Sequence, residues 1–423
     1  MKKSGFWKES FVSGIATLVR IAASFATNKF LASLVGPVGF AVIGQLQNLI
    51  SFGQGTSSLA LQNGWVSLTA RYKDKESELG PIWRGGFRLS VYASIASAIF
   101  FVLFAFIAPL DVVFPGIPLR YMQAAIIFAI PGFVSLTVTA ICASVMNGLS
   151  DYRRWTAITM GTSVLNCLWV ILMVSTKSLS VLSAVATQSA LSCFYAVYLA
   201  RKGGFTYKRF WARIKPNFAI WRGYVWMGIV PMVVSPLLYL FVRSFLGRSF
   251  GWDAAGLWQG ATRISDFFNV GFSSILGVVL LPRLSAALSH EKFHAELKRF
   301  LRIVLSLALA LVLALHFLRD FVIRFALSES FLPLSSLIPM QFVGDFFKAG
   351  CWCLGLALIA RRETAAFLCV EIGSELLFAL LTVCGASVEP IAYRAPFIAY
   401  AVENFACFVA LILITRKLSW KNL

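Results

Sequence analysis

The amino-acid sequence predicts an all-α integral membrane protein: twelve transmembrane helices in two six-helix lobes, related by a pseudo-two-fold axis along the membrane normal. Three observations predict it. Of 423 residues, 59% are hydrophobic and only 13% charged, a balance that excludes a soluble globule and a disordered chain. The apolar residues gather into windows of about 20, the length a helix needs to cross the hydrocarbon core. Lys and Arg fall on the loops between those windows with a one-sided bias.

Taken in order, the windows are 9–34, 38–66, 87–109, 121–147, 156–175, 179–200, 224–246, 254–281, 300–318, 334–360, 364–386 and 391–415. The first follows a basic start but is span-length and contains Arg20, so it reads as a retained helix and not as a cleavable signal peptide. Gly, Ser, Gln and Asn dilute the second and the eighth, which suggests helices that line something polar. With a cytoplasmic amino terminus, the loops on that side hold 27 Lys and Arg, against 6 on the other: Arg120, Lys177, Arg248, Arg319, Arg324 and Arg394. That bias places both termini in the cytoplasm and supports an even number of spans. It also accounts for the formal charge of +20 without a nucleic-acid partner.

The chain divides near its middle. A basic connector over 201–223, with Phe205, Tyr207, Phe210 and Trp211 interleaved, reads as an amphipathic stretch on the anionic cytoplasmic leaflet. It separates an amino-terminal six-helix lobe, 1–200, from a carboxy-terminal one, 224–423. Equal and even span counts give the parallel-repeat arrangement. Faint internal symmetry agrees: VGPVGFAVIGQLQNLISF from Val35 and WDAAGLWQGATRISDF from Trp252 place Gly39 and Gly256 alike, and Arg153 and Arg154 follow the fourth span as Arg361 and Arg362 follow the tenth. The eight cysteines all lie inside windows and read as packing residues, while His290 and His294 read as a solvated loop face. No metal and no cofactor is expected.

Ten ionisable side chains interrupt the apolar windows: Arg20, Lys29, Arg243, Arg263, Asp266, Asp345, Lys348, Glu371, Glu375 and Glu403. A charge at the bilayer centre costs about 2.5–3.5 kcal/mol even on lenient scales, so each is expected to face a partner or a water-filled cavity. Arg263 and Asp266 are three residues apart, as are Asp345 and Lys348, and either pair can close within its own helix. Glu371 and Glu375, four apart, put two carboxylates on one face, a site able to take up and release a proton near neutral pH. Lys29 and Arg243 lie near span ends, where a long side chain can reach the interface.

The run GWDAAGLWQGATRISDFF (Gly251 to Phe268), then LLPRLS, LRDF and QFVGDFFKAG (Gln341 to Gly350), resembles the polysaccharide branch of the multidrug/oligosaccharidyl-lipid/polysaccharide (MOP) exporter superfamily, the lipid III flippases and O-antigen translocases. That resemblance implies a MATE-like fold in a bacterial inner membrane. It implies translocation of an undecaprenyl-diphosphate-linked oligosaccharide from the cytoplasmic to the periplasmic leaflet, with other glycan assembly proteins, a polymerase and a chain-length regulator, as partners. With a glycan as substrate, Trp252 and Trp258 are candidates for contact with sugar rings, with interfacial anchoring as the alternative, and the ten charges sort into roles. Of them, the amino-terminal half contributes only Arg20 and Lys29, and with Arg263 and Lys348 these are the candidates to meet the diphosphate, which a guanidinium fork matches well. Arg20 has a second reading as a residue that pairs across the lobes. Asp266, Asp345, Glu371, Glu375 and Glu403 are the candidates for proton coupling or gating pairs, with simple countering of nearby cations as the alternative.

Two other classes fit less well. A membrane enzyme needs an extramembrane constellation of catalytic groups, and the longest loops here are short and carry only Asp74, Glu76 and Glu78 as an acidic cluster. A cation-coupled multidrug exporter of the same superfamily is expected to carry acids where its drug binds in the amino-terminal lobe, and this lobe carries cations instead.

Overall fold

In a computed structural model of the chain, which describes residues 3–114, 116–205, 217–285, 289–361, 363–388 and 392–417, the described residues form helices joined by short turns, with no strand. Among them, nine stretches are long and apolar enough to cross a membrane. The predicted windows fall on helices in order. The first lies on α1 (Lys3–Ser58), which folds back at Gly36, and the second begins on α1 and crosses a turn at 59–61 into the next helix. The others lie on α3 (Glu76–Ile107), α5 (Leu119–Gly148), α6 (Tyr152–Ser175), α7 with α8 (Val181–Thr187, Ala190–Lys202), α9 (Arg222–Phe250), α10 (Trp252–Ser285), α11 (His290–Phe317), α13 (Ile338–Ala360), α14 (Thr364–Gly385) and α15 (Ala395–Arg416). The shorter α2 (Gln62–Tyr72), α4 (Leu110–Val113) and α12 (Arg319–Ala326) fill the connections. Most of the expected basic connector, 206–216, lies outside the described residues.

Local chemistry sets the breaks. Gly36 takes φ 64°, a left-handed conformation that costs a residue with a Cβ but not glycine. Pro37 follows it, where a missing N–H at a helix start does no harm. Asp151 caps α6 by accepting from the Arg154 amide at 3.1 Å, Ser180 caps α7 through the Ser183 amide at 3.2 Å, and Ser289 caps α11 through the Lys292 amide at 3.3 Å. Each cap satisfies an amide that a helix start leaves open.

Two compact units result, Met1–Thr27 with Val42–Leu240, and Asn28–Ala41 with Phe241–Leu423. This division departs from the expected lobes 1–200 and 224–423 in two places. The boundary falls inside α9, and the turn of α1 belongs to the second unit. The turn is held there by close contact: a Cβ on Gly256 would lie 2.0 Å from the Pro37 carbonyl oxygen, Phe40 meets Phe331 edge-to-face at 5.6 Å, and Ser33 donates to the Leu327 carbonyl at 3.3 Å. The part of α9 up to Leu240 belongs to the first unit, where Gln45 donates to the Leu240 carbonyl at 3.2 Å.

Within the first unit the core gathers Trp65, Trp83 and Trp221 with Leu68, Ile82, Met146 and Ile158. In the second it gathers Phe268, Leu280, Phe293 and Leu297 with Val304, Cys353, Leu354 and Leu411. Large apolar side chains such as Ile99, Phe106, Leu172, Phe194, Leu307 and Leu380 are exposed, as lipid-facing surfaces require.

Candidate functional site

The second unit contains a polar network built from α10, α13 and α15. Asp345, on α13, has no solvent exposure. Its Oδ2 accepts a hydrogen bond from Ser265 Oγ at 2.8 Å and its Oδ1 from the Tyr400 hydroxyl at 2.9 Å. Ser265 Oγ in turn accepts from Gln341 Nε2 at 3.0 Å, and Gln341 sits one helical turn before Asp345 on the same face. A buried carboxylate is tolerated when its oxygens are occupied in this way, each such bond contributing about 1.5–3 kcal/mol.

One turn further along α13, the Lys348 ammonium lies 5.2 Å from the centre of the Tyr400 ring, within the reach of a cation–π interaction. Lys348 is also within electrostatic reach of Asp266, Asp345 and Glu403. The expected pairing inside α13 is thus one part of a larger arrangement, in which a single ammonium serves acids on α10, α13 and α15.

Glu403, buried on α15, accepts from Asn404 Nδ2 at 2.6 Å, and the same amide donates to the Tyr400 carbonyl at 2.8 Å. Glu371 and Glu375 on α14 are its charged neighbours along with Lys348. The three glutamates that the sequence placed on two spans are therefore one electrostatic group. Arg263 and Asp266 form the expected intrahelical ion pair at 3.1 Å, but with 24% and 56% of the side chains accessible. The two pairs predicted to be alike differ: one is wet, and the other is built around a dry carboxylate.

Arg243 departs from its expectation. It does not reach outward; it is 1% exposed, its guanidinium donating to Gln259 and lying 5.3 Å from the centre of the Trp258 ring. Trp258, equally buried, stacks on Phe378 at 6.0 Å, so it is packed away from any sugar. Phe378 meets Tyr400 edge-on at 6.4 Å. An aromatic row thus runs from Arg243 to the hydroxyl that holds Asp345. Ser265, Gln341, Tyr400, Asn404 and Gln259 were not singled out from the sequence. Their signal was a neutral polar side chain inside an apolar window, within one to four residues of a charge.

Arg20 and Lys29 part company. Arg20 belongs to the first unit, is exposed, and has no ion pair or hydrogen bond among the described residues. Lys29 belongs to the second unit, where its ammonium donates to the Arg324 carbonyl beside the docked turn.

No family model matches the sequence. The chain is 24% identical over 405 residues to the lipid III flippases of Escherichia coli (strain K12) and Shigella flexneri, covering 93% of this chain and 95% of each relative. Among solved structures it superposes on an inward-facing multidrug resistance MATE family transporter with a TM-score of 0.74 at 14% identity, covering 95% of this chain and 94% of that one. It superposes on the lipid II flippase MurJ, in an inward closed conformation, with a TM-score of 0.71 at 16% identity, covering 97% and 87%. The fold is that of the MOP superfamily. Within MOP-fold transporters, drug carriers and lipid flippases share one framework, so what distinguishes this chain lies in the side chains just described.

Proposed function

We infer that the protein is a flippase of the MOP superfamily that moves a lipid-linked oligosaccharide from one membrane leaflet to the other by alternating access. It is a transporter and not an enzyme. The observation that carries this reading is the end-to-end similarity to lipid III flippases on a fold shared with a lipid II flippase. The substrate is an undecaprenyl-diphosphate-linked glycan, taken from the cytoplasmic to the periplasmic face of the inner membrane by a chain with both termini in the cytoplasm. A polymerase and a chain-length regulator would act on what it delivers.

The residues suit the task by charge. Arg20, an exposed cation in an apolar segment, supplies a guanidinium for the diphosphate, with Arg263, Lys348 and Lys29 as further cations. Asp345, Asp266 and Glu403 lie within electrostatic reach of Lys348, and Glu371 and Glu375 neighbour Glu403, so adding or removing a proton within this group changes which acid the ammonium serves. That exchange couples transport to the proton gradient. The geometry supports this reading because the Asp345 hydrogen bonds come from hydroxyls, which can turn to donate or accept as the proton comes and goes.

The test is genetic and chemical. The gene should restore glycan export to a strain lacking its lipid III flippase, and the lipid-linked intermediate should stop accumulating on the cytoplasmic face. Failure of the well-expressed wild-type chain to clear that intermediate, or of any lipid-linked glycan to accumulate when its own gene is deleted, would overturn the flippase reading.

A further inference from the structure

The helix α11 carries a groove that neither the fold nor the proposed transport route uses. About 520 Å³ in volume, it is lined by Arg299, Arg302, Ile303, Ser306 and Leu307. The face opposite is the one that packs: Phe293, Leu297, Val304 and Ala308 point into the core of the second unit. The groove therefore opens away from the unit's interior, on a helix whose apolar window is only 11% buried.

Its chemistry is ordered along the helix axis. From His290 to Arg302 the sequence is rich in charge, with Glu291, Lys292, Glu296, Lys298, Arg299 and Arg302; from Ile303 to Leu315 it has none. Arg302 is thus the last charge before the hydrocarbon, at the depth of lipid phosphates. Arg299 is three residues away on the same face. Both are exposed, and among the described residues neither has an ion pair or a hydrogen bond. The acids of this helix, Glu291 and Glu296, do not line the groove. One turn deeper stand the Ser306 hydroxyl and the exposed side chains of Ile303 and Leu307.

We propose that this groove is a binding site for an anionic phospholipid, with the two guanidiniums on its phosphate, Ser306 at the level of the ester linkage, and Ile303 and Leu307 against the upper acyl chain. Charge complementarity selects the occupant: two uncompensated guanidiniums at headgroup depth favour a lipid with net negative charge over a zwitterionic one, and the apolar floor favours a lipid over a free anion. The site lies on the outward surface of one helix, so it holds whether or not the chain is a flippase.

The test uses the full-length protein, purified and presented with phosphatidylglycerol or phosphatidylcholine of the same chain length, with retained lipid counted by native mass spectrometry. The wild type should retain phosphatidylglycerol about tenfold more than phosphatidylcholine, and Arg299→Gln with Arg302→Gln should remove that preference. As a control of equal charge, Arg416→Gln with Lys417→Gln, an exposed pair at another helix end, should keep it. Four results would overturn the proposal: no preference in the wild type, equal loss in both double variants, displacement of the lipid by millimolar inorganic phosphate, or its displacement by equimolar undecaprenyl diphosphate. The first of these needs no variant to fold.

Discussion

The two units are built to hold polar groups differently. Among the described residues, the interior hydrogen bonds of the first include neutral ones: the Trp83 indole donates to Thr69 at 3.0 Å, the Trp221 indole to the Ile82 carbonyl at 3.1 Å, and the Ser189 hydroxyl to the Gly132 carbonyl at 2.7 Å. Its buried cation Arg84 lies between predicted windows, and Arg20, inside one, is exposed. In the second unit the interior itself is charged, with Asp345, Glu403 and Arg243 all buried. Neutral bonds fix how helices pack and do not change with protonation. A charged interior rearranges whenever a proton arrives or leaves, because its partners were arranged around one charge state. The first unit is suited to be a scaffold that presents a cation, and the second to be the switch.

The harshest way to break this contrast is at Arg20. Arg20→Glu should abolish complementation of a flippase-deficient strain while the protein remains folded in the membrane, since an exposed side chain carries little of the packing; undiminished export by the variant would remove the scaffold's assigned role. Next in size comes Lys348→Met, which withdraws the cation shared by Asp266, Asp345 and Glu403. Leaving buried carboxylates uncompensated should cost about 3 kcal/mol, visible as a lower thermal midpoint in detergent, together with lost transport. A finer comparison sets Tyr400→Phe against Ser189→Ala. The first removes a hydroxyl from a buried carboxylate and should cost about 2 kcal/mol, the second a neutral bond of about 1 kcal/mol; equal costs in denaturant unfolding would erase the distinction between the units. The smallest effect belongs to Arg263→Gln combined with Asp266→Asn. That pair is partly accessible, so stability should change by less than about 1 kcal/mol, and a larger change would mean that it is as dry as Asp345.

The spans were legible because apolar length is a local property: the predicted windows fall on helices, and the predicted break at 35–37 falls on Gly36 and Pro37. The ten charges were legible because ionisable groups stand out against apolar sequence. What was hidden depended on contacts far apart in the chain. Ser265 and Tyr400 reach Asp345 from 80 and 55 residues away, and a serine or a tyrosine inside an apolar window carries no mark of such a partner. The unit boundary was hidden for the same reason. Counting spans from the amino terminus puts Lys29 beside Arg20, but the contacts of Pro37 with Gly256 and of Phe40 with Phe331 carry its segment into the second unit. Arg243 was misjudged because nearness to a span end suggests a route to the interface, whereas Gln259 and Trp258 on the next helix offered it a buried partner and a ring.

The most direct test of the division of labour is flipping of a fluorescent undecaprenyl-diphosphate oligosaccharide in proteoliposomes, with and without an imposed proton gradient, for the wild type, Arg20→Gln and Asp345→Asn. The account predicts that the gradient accelerates the wild type, that Arg20→Gln fails under either condition, and that Asp345→Asn still binds the lipid but flips at a rate the gradient no longer changes. A wild-type rate indifferent to the gradient, or an Asp345→Asn protein that responds to it as the wild type does, would contradict the claim that the charged interior of the second unit is the switch.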